Sequence, residues 1–430
     1  MNDIDIGRVS TRSNTKSSIH THDDFQDVPP IYTIDLSLPP EQRYIEVAQE
    51  LRTVITGLTG LFDQLLDDAD LPKRTFHFLA RLLFRRVYSK EQHQELRGFH
   101  NVTGVPMYLL IAFNVLLDCF MGCTSGGVLL KEPGSNDKRM VHFRTLDWGM
   151  PDLREAIVHF EYKTSRNGPV VARVINYVGY VGVVTGVRQG LSVSLNFRPY
   201  HNNDGSTLAN IKFYGNQLLI LLGLRPSISS NIRSLILPNA AQKHRTSRGM
   251  LASILNPEHT LADIAHAFPP VPSTACYLTF CDGKQTFVLE KDRVTAKPLV
   301  STSFIATTNH DVSYETSSSG QAAHVAYTKA QKHKFGVGME EIVAESMQRK
   351  ECIMANWKKH NGSGKRGRKK NGCVELETLV DWISEYPITN QETHFATIMD
   401  PEKGEIAWIR RYDEGEIWED SSSVGDISTV

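Results

Sequence analysis

Cys123 is a candidate nucleophile because of the residues that surround it. It follows Gly122 and precedes a Thr-Ser pair in the stretch CFMGCTSGG at 119–127, where an apolar segment gives way to alternating β-branched residues. A packing cysteine needs no small neighbour, whereas a thiol that attacks a carbonyl must be reachable. The pattern therefore predicts either a nucleophile at Cys123 that must be reached or a bond between Gly122 and Cys123 that must be bent and cut.

Two charged residues follow on a predicted hairpin, Arg144 and Asp147 in HFRTLDWG. An arginine near a thiol lowers the thiol pKa and favours thiolate, and an aspartate can hold an ammonium group. His142 lies on the same hairpin, but it shares a face with Arg144 only if no bulge intervenes. The alternative base is the α-amino group of Cys123, which a break after Gly122 would free.

The composition limits the class of protein. The chain has 430 residues, with 47 Lys and Arg against 48 Asp and Glu, so no net charge would steer nucleic acid towards it. Its six cysteines show no CxxC pair and no zinc spacing, and we expect neither a metal nor a cofactor. The first residues lack an apolar signal core, which predicts a cytoplasmic protein.

Hydrophobic periodicity divides the chain into a tail, a helical part and a strand-rich part. Residues 1–28 are polar and predicted to be disordered. Residues 29–122 carry apolar positions at helical spacing, whereas residues 123–430 contain β-branched runs with a polar, basic insertion at 312–372. Helices followed by strands predict an α+β fold.

One predicted helix has two interpretations. The segment RTFHFLARLLFRRVYS at 74–89 is apolar over much of its surface and has a basic edge. It is either a core helix with solvated arginines or an element that faces lipid. Peripheral membrane contact is therefore one expectation from the sequence.

Ordered motifs give the chain a resemblance to a known family. The motifs that carry it are, in chain order, PPIYTIDLSLPPEQRY, ELRGFHNVTGVPMYLLIAFNVLLDCFMGCTS, HFRTLDWG, GYVGVVTGVRQGLSVSLNFR, TTNHD and THFATIMDPEKGEIAW. Through these motifs the chain resembles the acid ceramidase and N-acylethanolamine-hydrolysing acid amidase family, in the cholylglycine-hydrolase-like branch of N-terminal-nucleophile hydrolases.

The resemblance implies a four-layer αββα sandwich and a role for each site residue. Cys123 would be the nucleophile, exposed by self-cleavage before it, with Arg144 near the thiolate and Asp147 on the freed amine. Asn309, in TTNHD, would help to form the oxyanion hole. Arg349 is the nearest fit to a further family arginine. The chains 1–122 and 123–430 would remain associated after cleavage.

The sequence departs from the family pattern at one position. Many relatives carry a glutamate in an Asn-Glu-Arg motif, and here Phe197 stands between Asn196 and Arg198. If that glutamate assists self-cleavage in relatives, the departure bears on whether this chain cleaves itself.

The resemblance implies a linear lipid amide as substrate. Ceramide, hydrolysed through a cysteine thioester to fatty acid and sphingoid base, is the first expectation, and an N-acylethanolamine is the alternative. A catalytically silent lipid-binding or scaffold member is the alternative from another class. Family resemblance favours a lysosomal or vacuolar location, against the cytoplasmic one that the N-terminus predicts.

Overall fold

A computed structural model of the chain describes residues 27–68, 72–116, 122–202, 205–238, 260–315, 339–362 and 372–413. The first two ranges hold a short strand and five helices. The helices of the described residues are α1 (Ile45–Glu50), α2 (Arg52–Asp68), α3 (Lys73–Leu83), α4 (Lys90–Thr103), α5 (Met107–Leu116), α6 (Thr207–Leu221), α7 (Ile228–Ile236), α8 (Leu261–Ala267), α9 (Val312–Glu315), α10 (Met339–Asn361) and α11 (Leu376–Ser384).

The described strands form two sheets. They are β1 (Ile31–Asp35), β2 (Gly122–Lys131), β3 (Lys138–Asp147), β4 (Ile157–Lys163), β5 (Val170–Tyr177), β6 (Thr185–Arg188), β7 (Leu191–Phe197), β8 (Cys276–Cys281), β9 (Thr286–Lys291), β10 (Ala296–Ser301), β11 (Phe304–Thr307), β12 (Thr393–Asp400) and β13 (Glu405–Arg411). The eight-stranded sheet has the order β1-β4-β5-β6-β7-β8-β9-β10, and the five-stranded sheet has the order β11-β2-β3-β12-β13.

The two sheets pack face to face between helices. Strands β2 and β3 of the smaller sheet contact β7 and β8 of the larger one. On the outer faces, α7 packs against β6 and β7, while α10 and α11 pack against β2, β11 and β3. This arrangement gives four layers, so the predicted α+β sandwich of the αββα type is confirmed.

Two glycines on β2 allow residues of β11 and β9 to pack closely against it. A Cβ at Gly126 would lie 2.1 Å from the carbonyl oxygen of Ile305 on β11, and one at Gly127 would lie 1.7 Å from Thr286 Oγ1 on β9. No side chain fits at either position without displacing a neighbouring strand. The Gly-Gly pair after the cysteine therefore lets β2 pack tightly on both sides.

The helix α10 is an element that sequence analysis did not predict. It lies inside the stretch predicted to be a polar insertion, and it packs against β2 and β11. The basic run KKHNGSGKRGRKKNG at 358–372 begins in the last turn of α10, and its residues 363–371 lie outside the described residues. The predicted disordered tail, apart from its last two residues, also lies outside them. The division of the chain at residues 28 and 122 stays a prediction.

Among the described helices, none combines the length and the apolar character that crossing a membrane requires. Within the apolar segment before Cys123, Met107–Leu116 form α5, most of whose described side chains are buried.

Candidate active site

Strand register places Asn309 opposite Cys123. β11 pairs antiparallel with β2, and the last pair is Thr307 with Ser125. Two residues beyond that pair, the same register sets Asn309 against Cys123. The backbone N–H of Cys123 donates a hydrogen bond to Asn309 Oδ1 at 2.8 Å. The side chain of Asn309 therefore continues the strand pairing where the strand itself has ended.

The thiol of Cys123 is enclosed between the sheets. The side chain is fully buried, and Sγ lies 3.8 Å from the carbonyl oxygen of Leu195 on β7. Arg144 donates from Nη2 to Sγ at 3.4 Å and from Nη1 to the same Leu195 carbonyl at 2.6 Å. The guanidinium thus bridges Cys123 and the facing sheet.

Strand alternation puts Arg144 and Asp147 on opposite faces of the small sheet. Ser125 pairs with Arg144 and Gly122 pairs with Asp147 in the β2–β3 ladder. Because side chains alternate along a strand, Arg144 shares the inner face with Cys123, whereas Asp147 lies beside Gly122 on the outer face. A Cβ at Gly122 would come within 3.3 Å of Asp147 Cβ, so glycine leaves room for the carboxyl group.

Arg349 links Asp147 on the outer face to Asn309, which binds the backbone nitrogen of Cys123. This residue of α10 is 1% exposed, and its Nη2 donates to Asn309 Oδ1 at 2.9 Å. Its Nη1 lies 3.7 Å from Asp147 Oδ2, and Asp147 Oδ1 accepts a hydrogen bond from Thr393 Oγ1 at 2.7 Å. The structure therefore brings all the predicted site residues into one cluster.

Asn309 has a further bond that bears on its expected role. Its Nδ2 donates to the backbone carbonyl of Phe197 at 2.8 Å. In the continuous chain the side-chain amide nitrogen is thus held by a carbonyl of β7, while Oδ1 accepts from Cys123 and Arg349. The structure shows Asn309 orienting the backbone nitrogen of Cys123, and its part in an oxyanion hole stays a prediction.

Burial controls the protonation of the thiol. Sequence analysis expected an arginine to favour the thiolate. Arg144 and Arg349 do act to lower the pKa of Cys123, but desolvation in the closed site is larger, and the pKa is raised. The expectation of a depressed thiol pKa is therefore corrected for the continuous chain. Burial likewise raises the pKa of the Asp147 carboxyl, against the opposing effects of Arg349 and Thr393.

His142 is not placed to act as a base for the thiol. Its two ring nitrogens bond to the hydroxyls of Ser192 and Ser194, at 3.0 and 2.8 Å. Burial between the sheets lowers its pKa to about 3, so the ring stays neutral at physiological pH. The α-amine that a chain break would free is the remaining candidate from the sequence.

Two side chains that bind site residues were not predicted from the sequence. Thr393 holds Asp147, and Ser346 Oγ accepts the backbone N–H of Asn309 at 2.7 Å. Ser346 stands one helical turn before Arg349, a spacing that could have pointed to it once α10 was recognised. Thr393 opens the motif THFATIMD, but only the β3–β12 register brings it to Asp147. Across the described ranges, no group of three or more His, Cys, Asp or Glu residues could hold a metal ion.

Comparison with known proteins relates these features to named enzymes. The family model for the beta subunit of N-acylethanolamine-hydrolyzing acid amidase matches residues 27–86. Acid ceramidase of Rattus norvegicus is 29% identical over 188 residues, which cover 39% of this chain and 45% of that protein. N-acylethanolamine-hydrolyzing acid amidase of Caenorhabditis elegans is 29% identical over 178 residues, which cover 39% of this chain and 47% of that protein.

A solved structure of the Caenorhabditis elegans N-acylethanolamine-hydrolyzing acid amidase ortholog covers 65% of this chain and 93% of its own, with 21% identity and a TM-score of 0.41. The matched segments span about half the length of the curated relatives. The range matched by the family model contains the first of the motifs quoted above, PPIYTIDLSLPPEQRY. The chain is therefore related to the acid ceramidase and N-acylethanolamine-hydrolysing acid amidase family.

Proposed function

We propose that the chain is a lipid amide hydrolase that is cut between Gly122 and Cys123 by its own thiol. One observation carries the proposal. The side chain of Cys123 meets Arg144, while the backbone nitrogen of the same residue meets Asn309. That nitrogen becomes a terminal amine when the bond is broken, so nucleophile and base would lie on one residue with separate partners.

The proposed self-cleavage is an intramolecular acyl transfer. The thiol of Cys123 attacks the carbonyl of Gly122 and releases its proton, the C–N bond breaks, and the nitrogen takes up one proton as it becomes an amine. The proton that the thiol releases restores the proton donor, so the step neither gains nor loses a proton. Water then hydrolyses the thioester and leaves a carboxylate on Gly122. The Asp147 carboxyl, whose pKa is raised by burial, lies beside Gly122 and can supply the proton.

Hydrolysis of a lipid amide would follow the same chemistry. The α-amine takes the proton of the Cys123 thiol, the thiolate attacks the amide carbonyl, and the resulting ammonium group returns that proton to the departing amine. Water then attacks the thioester and releases the fatty acid. Arg144 offsets the negative charge on sulfur, and Asn309 holds the α-amine in place.

Contacts across the proposed break support two chains that stay associated. β1 pairs in parallel with β4, so the helical part contributes a strand to the large sheet. Glu95 on α4 is fully buried and binds Arg233 on α7 at 2.7 Å. Asn114 on α5 accepts the backbone N–H of Val181 at 2.8 Å. These contacts do not depend on the bond before Cys123.

The relatives' names favour ceramide and N-acylethanolamines as substrates, and we propose ceramide first. Exposed apolar side chains support a peripheral membrane contact from which such a lipid would be drawn. They lie on α3 and on α6, both of which contact α5. On α3, Phe78 is 63% exposed and is accompanied by exposed Leu79 and Leu82 and by two exposed arginines, Arg74 and Arg81. An apolar face with a basic edge suits a lipid surface.

A catalytically silent lipid-binding member is the second candidate. Its support is the burial of Cys123, because no substrate reaches a thiol that is fully enclosed in the continuous chain. If the chain is never cut, the same residues form a closed polar core.

Hydrolysis assays with matched cysteine variants test the proposal. The wild type is expected to hydrolyse ceramides or N-acylethanolamines, and Cys123→Ala to lose at least about 10³-fold in kcat/KM. Cys281→Ala is the control, since Cys281 is also fully buried, on β8 of the facing sheet, and it should retain activity. A Cys123→Ala variant as active as Cys281→Ala would refute the nucleophile.

A further inference from the structure

Asn309 stands outside the strand ladder that would normally hold it. β11 ends at Thr307, and the side chain of Asn309 bonds to Cys123, Arg349 and the carbonyl of Phe197. A polar side chain at a strand end aligns a nitrogen only if its own backbone is fixed. The position of Asn309 therefore depends on contacts that hold the turn after β11 against the end of β7, where Phe197 lies.

A buried ion pair connects these two segments. Arg198 directly follows Phe197 and donates to both carboxylate oxygens of Asp311, from Nε at 3.0 Å and from Nη2 at 2.7 Å. Asp311 lies two residues after Asn309. Both partners are less than 9% exposed. A paired, planar contact of this kind fixes orientation as well as distance.

Two tyrosines complete the arrangement around the carboxylate. Tyr277 donates its hydroxyl proton to Asp311 Oδ1 at 2.9 Å, and the backbone N–H of Asp311 donates to the Tyr200 hydroxyl at 2.6 Å. The two hydroxyls are 3.0 Å apart, so Tyr200 donates to Tyr277. The guanidinium of Arg198 also lies 4.9 Å from the centre of the Tyr200 ring.

We propose that Arg198, Asp311, Tyr200 and Tyr277 form a positioning unit, here called the Asp311 clamp, that sets Asn309 against the nitrogen of Cys123. Arg198 directly follows the residue whose carbonyl Asn309 binds, and Asp311 lies two residues after Asn309, so the clamp acts through Asn309. It fixes the backbone on both sides of the Asn309–Phe197 hydrogen bond. A small shift of one segment against the other would misalign the nitrogen.

The inference rests on the proposed function and adds positioning residues to it. The Asp311→Asn variant keeps the shape of the side chain and removes its charge. We expect the rate of chain breakage and kcat to fall about 10- to 100-fold with KM unchanged, because misplacement of catalytic groups acts on turnover. A KM change with unaltered kcat would contradict a positioning role.

The matched control is Glu95→Gln. It neutralises a buried carboxylate that is bound by Arg233 and lies on α4, away from Asn309. Both variants should lower the thermal midpoint, since each leaves an arginine without its counter-ion. Only Asp311→Asn should slow breakage and turnover in the folded fraction. Equal kinetics in the two variants would overturn the clamp.

A second pair of variants, each of which removes only one hydroxyl group, tests the clamp if Asp311→Asn does not fold. Tyr277→Phe removes one hydroxyl from the clamp, and we expect breakage and kcat to fall about three- to tenfold. Tyr162→Phe is the control, because its hydroxyl is also buried and pairs with Tyr44 at 3.0 Å. Equal rates for both tyrosine variants would also overturn the clamp.

The behaviour of the wild-type protein distinguishes failure of the proposed function from failure of the Asp311 clamp. A wild type that neither breaks nor hydrolyses lipid amides would overturn the proposed function and the clamp together. A wild type that does both, with clamp variants indistinguishable from their controls, would overturn the clamp alone.

Discussion

At the scale of single residues, Cys123 has partners of different character on its two reactive atoms. Its sulfur lies beside a cation on the inner face, and its nitrogen lies beside an amide oxygen at the sheet edge. The carboxyl of Asp147 faces the preceding residue from the outer face. A residue that must act twice, first on its own backbone and then on a substrate, needs this separation of partners.

Arg349 is the residue through which α10 enters the site, and it gives a residue-scale prediction. Arg349→Lys keeps a positive charge but has one ammonium group in place of the two guanidinium nitrogens that reach Asp147 and Asn309 separately. We expect kcat/KM to fall about 10- to 100-fold, measured by hydrolysis of the best lipid amide. Gln348→Lys, exposed on the same helix, is the control. Wild-type kcat/KM in Arg349→Lys would show that Arg349 has no such role.

The sequence was enough to identify candidate catalytic residues, but not to predict the protonation state of the Cys123 thiol. Cys123, Arg144 and Asp147 were found from their types and from the motifs around them. The pKa of Cys123 depends on how completely neighbouring layers exclude water, which no local pattern reports. The contacts of the Leu195 and Phe197 backbone carbonyls also could not be predicted from the sequence, because every residue has a backbone carbonyl and only the fold shows which ones lie at the site.

At the scale of elements, the small sheet and α10 decide how the site is assembled. The β2–β3 register alternates Arg144 and Asp147 between faces, and α10 supplies an arginine from outside the sheet. The strands were predictable from their β-branched runs. α10 was not, because its charged composition suggested a solvated loop, whereas contact with β2 and β11 is what makes it part of the core.

The exposed face of α3 gives an element-scale prediction. Phe78→Glu places a charge in the apolar face that we propose to contact lipid. We expect partitioning onto phospholipid vesicles, measured by co-sedimentation, to weaken at least about tenfold, because burial of one such side chain contributes about 1.5–3 kcal/mol. The control is Val300→Glu, since Val300 is 56% exposed on the edge strand β10. Equal loss in both variants would argue against α3 as the contact surface.

At the scale of the whole molecule, the helical part and the strand-rich part share one sandwich. The strand β1 pairs with β4 of the large sheet, and the ion pair of Glu95 with Arg233 links α4 to α7. Cutting the chain before Cys123 would therefore leave the layers in place while freeing a new amine inside them. The order of helices and strands predicted this fold class, but not which strand of the first part joins the large sheet.

The central claim is tested most directly by the intact mass of the purified protein. The account predicts two chains, with the second beginning at Cys123, for the wild type and for the Cys281→Ser control. It predicts one continuous chain for Cys123→Ser, because a hydroxyl at that position is a weaker nucleophile. A wild-type protein that hydrolyses lipid amides while its Gly122–Cys123 bond remains unbroken would contradict the account.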